Sequence, residues 1–166
     1  VPMRACIRRG AHQIGGTCIE LESQGKRIVL DVGLPLDAAP DPDLLPAVPG
    51  LARADESLLG VFVSHAHRDH YGLLACAGAY PRVFMGRDAA RMLEAASLFW
   101  PGASGVGDTE PLEHRVPVTL GPFRVTPYLV DHSAYDAYAL LVEADGERLL
   151  YSGDLRAHGR KGKLFE

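Results

Sequence analysis

Apolar positions recur in short runs and in alternation along this chain, which predicts a protein rich in β-strands. Alternating apolar and polar residues mark half-buried strands near the N-terminus, and the turn pair Gln24-Gly25 separates two of them. The pattern returns near the C-terminus, where Asp145-Gly146 is a strong hairpin signal. The predicted strands are residues 4–8, 17–22, 26–31, 58–63, 81–86, 116–120, 123–130, 138–143 and 148–152.

Two segments have helical spacing instead. Residues 71–77 are short and apolar, which is typical of a helix that enters the core, and its N-terminus is expected to face the polar cluster that precedes it. Residues 88–99 have the period of an amphipathic helix. Its apolar face is predicted to pack in the core and to contain Met92, Ala95, Ala96 and Phe99.

The composition indicates one globular domain, because 166 residues with 47% hydrophobic content can build a real core. A net charge of −4 gives no overall signature of a nucleic-acid binder, so a polyanion would need a local patch. Cys6, Cys18 and Cys76 are predicted to be buried free thiols of a cytoplasmic protein. The apolar runs are far shorter than the ~18–20 residues that cross a bilayer, so no membrane partner is expected.

Three histidines and one aspartate follow the apolar strand 58–63, and they predict a metal site. Imidazole suits zinc among the common metals, and a carboxylate adds a charged oxygen ligand. His65 and His67 are expected to point to the same side of an extended loop, with Asp69 and His70 directed toward a second ion. Without a metal, these groups would leave polar atoms to satisfy at a strand end. The sequence therefore predicts two zinc ions.

Ligand-type residues end three further predicted strands. Asp31 ends one of them, Asp131-His132 follow another, and Asp154 follows the last. If these strand ends share one rim of the fold, their side chains gather around the cluster at 65–70. For Asp31 two interpretations stay open, namely orienting a metal-bound histidine from behind and a plain turn or hydrogen-bonding role.

Together these residues resemble the metallo-β-lactamase superfamily. The segment 65–70 is similar to its signature, Asp31 to the aspartate of its first motif, His132 to the histidine of its third motif and Asp154 to its bridging aspartate. The resemblance implies an α/β fold, the αββα sandwich, with the metals at one edge. It also implies one zinc held by His65, His67 and His132, a second held by Asp69 and His70, and Asp154 bridging both.

Within the superfamily, the segments 130–133 and 151–160 resemble the β-CASP nucleases, which include ribonuclease J and messenger-RNA 3′-end processing endonucleases. In those enzymes a β-CASP domain follows the region that matches Asp154, and the resumed lactamase fold supplies another histidine ligand. Residues 1–166 are therefore expected to be the N-terminal portion of a metallo-β-lactamase domain. The C-terminal half of the fold is expected to be incomplete, with the last ligand of the second zinc absent.

The function that the resemblance and the residues favour is zinc-dependent phosphodiester hydrolysis of RNA or single-stranded nucleic acid. Two metals ~3.5–4 Å apart hold a hydroxide at neutral pH and polarise a phosphoryl oxygen. Asp69 and Asp154 are the predicted catalytic carboxylates. The predicted contacts to substrate phosphate are Ser133, Arg156 and His158. The rest of the basic run, Arg160, Lys161 and Lys163, is equally compatible with a solvated tail.

Two other functions stay open from the sequence. The same fold and metals serve small-molecule ester or thioester hydrolases, which a comparison of RNA and thioester hydrolysis would separate from a nuclease. The chain could also be an inactive fragment or assembly subunit, which a metal content of one ion or none would favour. In that case an unpaired sheet edge could join two copies as a homodimer.

Overall fold

The apolar runs of the sequence form the strands of two β-sheets. The structure, a computed structural model, describes residues 2–78, 81–99 and 106–165. In these residues the strands are β1 (Arg4–Arg9), β2 (Cys18–Ser23), β3 (Lys26–Leu30), β4 (Leu58–Phe62), β5 (Val83–Gly86), β6 (Thr109–Leu112), β7 (Val118–Leu120), β8 (Phe123–Leu129), β9 (Tyr138–Ala144) and β10 (Glu147–Tyr151). The helices are α1 (Arg68–Tyr71) and α2 (Arg87–Ser97), with 3-10 turns at Pro42–Leu44, Leu74–Cys76 and Gly162–Phe165.

The strands pair in chain order within each sheet. The larger sheet has the order β1-β2-β3-β4-β5-β6, in which β1, β2 and β3 are antiparallel and β3 to β6 are parallel. The smaller sheet has the order β10-β9-β8-β7 and is antiparallel throughout. Pairing of two copies through one of the terminal strands of these sheets stays a prediction.

The main core lies between the two sheets. Apolar side chains of the larger sheet, including Leu30, Phe62 and Phe84, pack against Phe123 and Leu140 of the smaller one. The rings of Phe62 and Phe84 stack with their centroids 4.5 Å apart. Burial of this area from water is the dominant stabilising contribution, and it fixes the two sheets face to face.

A second core covers the outer face of the larger sheet. Val61 and Val63 pack there against Leu74 and against Ala89 and Leu93 of α2. This layering confirms the predicted two-sheet α/β sandwich. Both α-helices of the described residues pack on the larger sheet, so the outer helical layer that the αββα pattern places on the smaller sheet is not represented in residues 2–78, 81–99 and 106–165.

The prediction for the buried face of α2 was wrong. Ala89 and Leu93 are buried, whereas Met92 is 55% exposed and Phe99 is 90% exposed. Ala95 is exposed as well, and Ala96 is half-buried. The helix begins directly after β5, so the short connection at Gly86 sets the rotation of the helix about its axis. As a result Ala89 and Leu93, which are four residues apart and lie on one face, point to the sheet.

Three further predictions need correction. The helix expected at 71–77 is instead α1 followed by a 3-10 turn, so the helical segment starts earlier and contains Asp69 and His70. The strand β6 was missed, because Glu110 and Pro111 interrupt its apolar pattern. Cys6 is exposed because it lies on β1, the edge strand of the larger sheet, and Cys76 is only half-buried.

Among the described residues, no helix combines the length and apolar character that crossing a membrane requires.

Candidate metal centre

The strand directions bring all the predicted ligand segments to one rim of the sandwich. Because β3 and β4 are parallel, Asp31 and the segment 65–70 leave the larger sheet at the same end. Because β8 and β10 are both antiparallel to β9, His132 and Asp154 leave the smaller sheet at one end. The backbone N–H of Tyr138 donates to the Ser64 carbonyl at 2.9 Å, which joins the two sheets at this rim.

Three histidines form the first candidate group. His67 Nδ1 lies 3.1 Å from His65 Nε2 and 3.2 Å from His132 Nε2, and all three atoms lie within 4.8 Å of one another. His65 is buried, while His67 and His132 are half-buried. One side of the group is therefore closed by the protein, and the other side is open to solvent.

His65 also belongs to a second candidate group, with His70 and Asp154. His70 Nε2 lies 3.6 Å from both Asp69 Oδ2 and Asp154 Oδ1. The other carboxylate oxygen of Asp154, Oδ2, lies 3.8 Å from His132 Nε2. The carboxylate of Asp154 thus stands between the two groups, with one oxygen toward each.

Asp31 supports this arrangement from behind. It is fully buried, and its backbone has a positive φ of 59°. Its Oδ1 accepts the Ser64 N–H at 2.7 Å, and its Oδ2 accepts hydrogen bonds from the Ser64 hydroxyl, His70 Nδ1 and the Tyr151 hydroxyl at 2.8, 2.7 and 2.5 Å. The structure therefore places Asp31 as the hydrogen-bonding centre beneath the histidines, which is more than a turn residue requires.

These bonds fix which nitrogen of each buried histidine carries the proton. A carboxylate only accepts, so His70 Nδ1 holds a proton and leaves its Nε2 lone pair toward Asp69 and Asp154. The Ser64 hydroxyl donates to Asp31 and can then accept from His65 Nδ1 at 3.0 Å. His65 Nε2 is in consequence the lone-pair nitrogen, and it faces the other histidines.

The pKa values of the buried histidines shift in opposite directions. Burial, followed by the charges of neighbouring histidines, lowers the pKa of His65 to about 2, so its ring stays neutral. Burial also acts to lower the pKa of His70, but the hydrogen bond to Asp31 and the nearby carboxylates outweigh it and raise the pKa. Burial lowers the pKa of His132. Neutral imidazoles are the form that binds metal ions.

Backbone contacts hold the segment, including α1, that carries the candidate ligands. Val32 N–H donates to the His70 carbonyl at 2.9 Å, Leu34 N–H to the Arg68 carbonyl at 3.0 Å, and Thr17 N–H to the Asp69 carbonyl at 3.1 Å. Gly33 lies so close that a Cβ there would stand 1.8 Å from the Asp69 carbonyl oxygen. Only glycine allows this approach of the two backbones.

A second buried carboxylate, Asp131, holds the loop that follows Asp154. Its backbone carbonyl accepts the Arg156 N–H at 2.8 Å, and its Oδ2 accepts the Gly159 N–H at 2.5 Å and lies 3.6 Å from Arg156 Nε. Arg156 Nη2 also donates to the His132 carbonyl at 3.4 Å. Arg156, predicted to contact phosphate, is thus engaged with the protein itself. Ser133 and His158, predicted for the same role, are exposed at the rim.

Sequence reasoning placed Asp131 among the ligand-type residues at strand ends but assigned no supporting role to it, nor to Ser64 or Tyr151. Each lies directly beside or within three positions of a predicted ligand at a strand end. Side chains alternate between the two faces along β10. Leu150 is 67% exposed, so its neighbour Tyr151 points inward. These residues could have been found from the sequence by two features, namely a position close to a predicted ligand and the alternation of inward and outward side chains along the strand.

Comparison with known proteins gives a family match over most of the chain. The family model described as beta-lactamase superfamily domain matches residues 27–164. Ribonuclease J of Sinorhizobium meliloti is 31% identical over 132 residues, which cover 76% of this chain and 23% of that protein. Cleavage and polyadenylation specificity factor 73 of Drosophila melanogaster is 42% identical over 67 residues, covering 37% of this chain and 9% of that protein. The chain thus spans less than a quarter of the length of these relatives.

Solved structures share the fold. A protein of unknown function from Enterococcus faecalis superposes with a TM-score of 0.82 at 24% identity, over 96% of this chain and 45% of that one. A metallo-beta-lactamase fold protein from Bacillus subtilis superposes with a TM-score of 0.65 at 16% identity, over 93% of this chain and 64% of that one. At these identities the likeness concerns the fold alone.

Proposed function

This chain belongs to the β-lactamase superfamily, whose fold implies divalent metal ions, and we propose that it is a zinc-dependent phosphodiesterase that cleaves RNA or single-stranded nucleic acid. The observation that carries the proposal is the position of Asp154. Its two carboxylate oxygens face different histidines, at 3.6 Å from His70 Nε2 and 3.8 Å from His132 Nε2. A carboxylate placed between two ligand groups suits a two-metal centre, an arrangement that many nucleases and phosphatases use.

We assign the ligands from the donor atoms that each group offers. Three imidazole nitrogens, the ligands that zinc accepts readily, form the site for one ion. We propose that these are His65, His67 and His132, that Asp69 and His70 hold the second ion, and that Asp154 contacts both. Held by these residues, zinc would lower the pKa of a water molecule and polarise a phosphoryl oxygen.

The protein's own side chains prepare the ligands for this task. Asp31 and Ser64 hold protons on the far nitrogens of His70 and His65, so that the near nitrogens present lone pairs. Such partners orient a metal-bound histidine and raise its basicity. His67, His132 and Asp154 are more exposed than His65 and His70, so substrate approaches from their side.

The choice of RNA is supported by the relatives and by local charge. Ribonuclease J is named for the cleavage of RNA, and the second relative for cleavage and polyadenylation; the chain matches parts of both. The basic side chains Arg160, Lys161 and Lys163 follow Asp154 closely, in a chain of net charge −4. Arg156 contributes less to this charge, because Asp131 partners it.

The test measures metal content and two hydrolytic activities of the full chain, purified without chelator. About two zinc ions per chain and cleavage of a labelled single-stranded RNA are expected. Asp154→Asn should lose the cleavage and one of the two ions, because the three-histidine group is unchanged. Asp108→Asn, a matched change at an exposed aspartate outside both ligand groups, should leave both unchanged. Thioester hydrolysis without RNA cleavage would replace the proposal by a small-molecule hydrolase. A zinc-loaded chain without either activity would overturn it.

A further inference from the structure

An exposed aromatic ring lies close to the candidate metal centre. Tyr135 is 59% exposed and follows His132 by three residues, so the two Cα atoms are within about 11 Å of each other. Its loop is anchored to α2, because Asp136 Oδ2 accepts the backbone N–H of Asp88 at 3.0 Å. The ring is therefore exposed on a loop between β8 and β9 that also carries His132.

A cation from the basic run accompanies this ring. Lys161 Nζ lies 5.8 Å from the centroid of the Tyr135 ring, within the range of a cation–π contact. The ammonium is shielded from solvent and has no hydrogen-bond partner among the described residues. An unpartnered ammonium gains from an anionic acceptor, because burial without a hydrogen bond is unfavourable.

A groove of about 450 Å³ runs beside the ring and along α2, lined by Tyr135, Met92, Ala95, Asp88 and Arg91. Met92 is 55% exposed in it, although the sequence pattern assigned this side chain to the core. Asp88 and Arg91 pair with each other at 3.7 Å, so neither leaves an unbalanced charge in the groove. Side chains of α2 and the Tyr135 ring line this groove, and the Lys161 ammonium lies beside the same ring without lining the groove itself.

We propose that Tyr135 and Lys161 form a nucleotide-binding subsite for single-stranded RNA, with a base stacked on the Tyr135 ring and its phosphate paired with Lys161. The inference rests on the proposed nuclease function and deepens it. Stacking platforms combined with cations along the backbone are how proteins hold single strands without reading sequence. A thioester substrate would use neither feature, which distinguishes this occupant from a small-molecule one.

Binding is measured first, by fluorescence anisotropy of a labelled oligouridine RNA with the full chain carrying Asp154→Asn to prevent cleavage. Since one stacked base contributes ~1–3 kcal/mol, Tyr135→Ala should weaken binding by about 5- to 150-fold, while Tyr135→Phe keeps the ring and the affinity. Lys161→Gln should reduce the slope of log affinity against log salt by about 0.7. Lys26→Gln, at a lysine of β3 that lies outside the basic run and donates to the Glu56 carbonyl, should not change it.

Cleavage then separates this subsite from the function on which it rests. In the otherwise unchanged chain, Tyr135→Ala should raise KM for RNA, with hydrolysis of bis(p-nitrophenyl) phosphate unchanged because that small diester needs no base stacking. If RNA is cleaved and Tyr135→Ala binds and cleaves it as the parent does, the subsite is overturned and the nuclease function stands. If the parent neither binds nor cleaves RNA, both fall.

Discussion

The hydroxyl of Tyr151 donates a hydrogen bond of 2.5 Å to Asp31 Oδ2, so a strand of the smaller sheet contacts the carboxylate that supports the candidate metal centre from the larger sheet. Burial, and then the charge of Asp31, raise the pKa of Tyr151, so the phenol keeps its proton and stays a donor at any physiological pH. The bond therefore joins the two sheets and the candidate site in one contact.

Tyr151→Phe removes this donor while keeping the ring. Hydrogen bonds to charged groups contribute ~1.5–3 kcal/mol, so urea unfolding should show a loss in the free energy of unfolding of about that size. Zinc affinity should fall about tenfold, because Asp31 is then less well held behind His70. Tyr128→Phe, a half-buried tyrosine on the outer face of the smaller sheet, is the matched control and should change neither quantity. Equal effects of both variants would contradict the role of the Tyr151–Asp31 bond.

Gly33→Ala tests the close backbone approach behind the ligand loop. The new Cβ would stand 1.8 Å from the Asp69 carbonyl, so the segment that carries Asp69 and His70 must shift. Overpacking of this kind destabilises by ~1–3 kcal/mol or more, and elemental analysis should find fewer than two zinc ions per chain. Gly146→Ala, at a positive φ of 79° with no atom near its Cβ, carries only the conformational penalty and should keep full metal content. Retention of both ions by Gly33→Ala would contradict the prediction.

Asp131→Asn tests whether Arg156 acts through the protein rather than on substrate. The variant loses the charge that partners Arg156 but keeps an oxygen for the Gly159 N–H, so the loop after Asp154 should loosen and zinc affinity should fall by ~10-fold. Arg156→Gln should have a similar effect, and the double variant should be no worse than either single one. Additive losses in this double-mutant cycle, with the Arg156→Gln loss confined to RNA binding, would restore the predicted phosphate contact.

The metal-free protein should have a stability optimum near pH 6.5. Burial, then neighbouring histidines, depress the pKa of His65 to about 2, so below ~6.5 the unfolded chain binds a proton that the folded one does not. The free energy of unfolding therefore falls as the pH drops below that value. The raised pKa of His70 acts in the other direction, because its stabilisation is complete below ~6.5 and is lost as the pH rises through the raised value.

Urea unfolding of the chelator-treated protein at pH 5.5, 6.5 and 7.5 measures this dependence. Each proton bound only by the unfolded chain gives a slope of ~1.4 kcal/mol per pH unit. His65→Asn should reduce the slope on the acid side, leaving the part that the lowered pKa of His132 contributes, and should leave the alkaline side unchanged. A free energy of unfolding that keeps rising from pH 6.5 to 5.5 would contradict the shift assigned to His65.

Ligand-type residues at strand ends could be located from sequence, because an apolar run that stops at Asp31, His65, His132 or Asp154 marks both the strand and its exit. The parallel pairing of β3 with β4 then brings those exits together, as the pattern implied. The buried face of α2 could not be predicted from the spacing of its apolar residues. Two members of the expected face are alanines, whose small side chains bury little apolar area and so do not decide which face packs on the sheet. The contacts of Asp131 were also beyond reach, since they join a strand end to the Gly159 backbone 28 positions later.

The four hydrogen bonds on Asp31 have a consequence for how sequences of this kind can change. One carboxylate both joins the two sheets and supports the candidate metal centre, so a change at Asp31 would affect both properties. A substitution at Tyr151 would weaken both the contact between the two sheets and the support of the candidate metal centre. Selection on the candidate metal centre would then also preserve the contact between the two sheets.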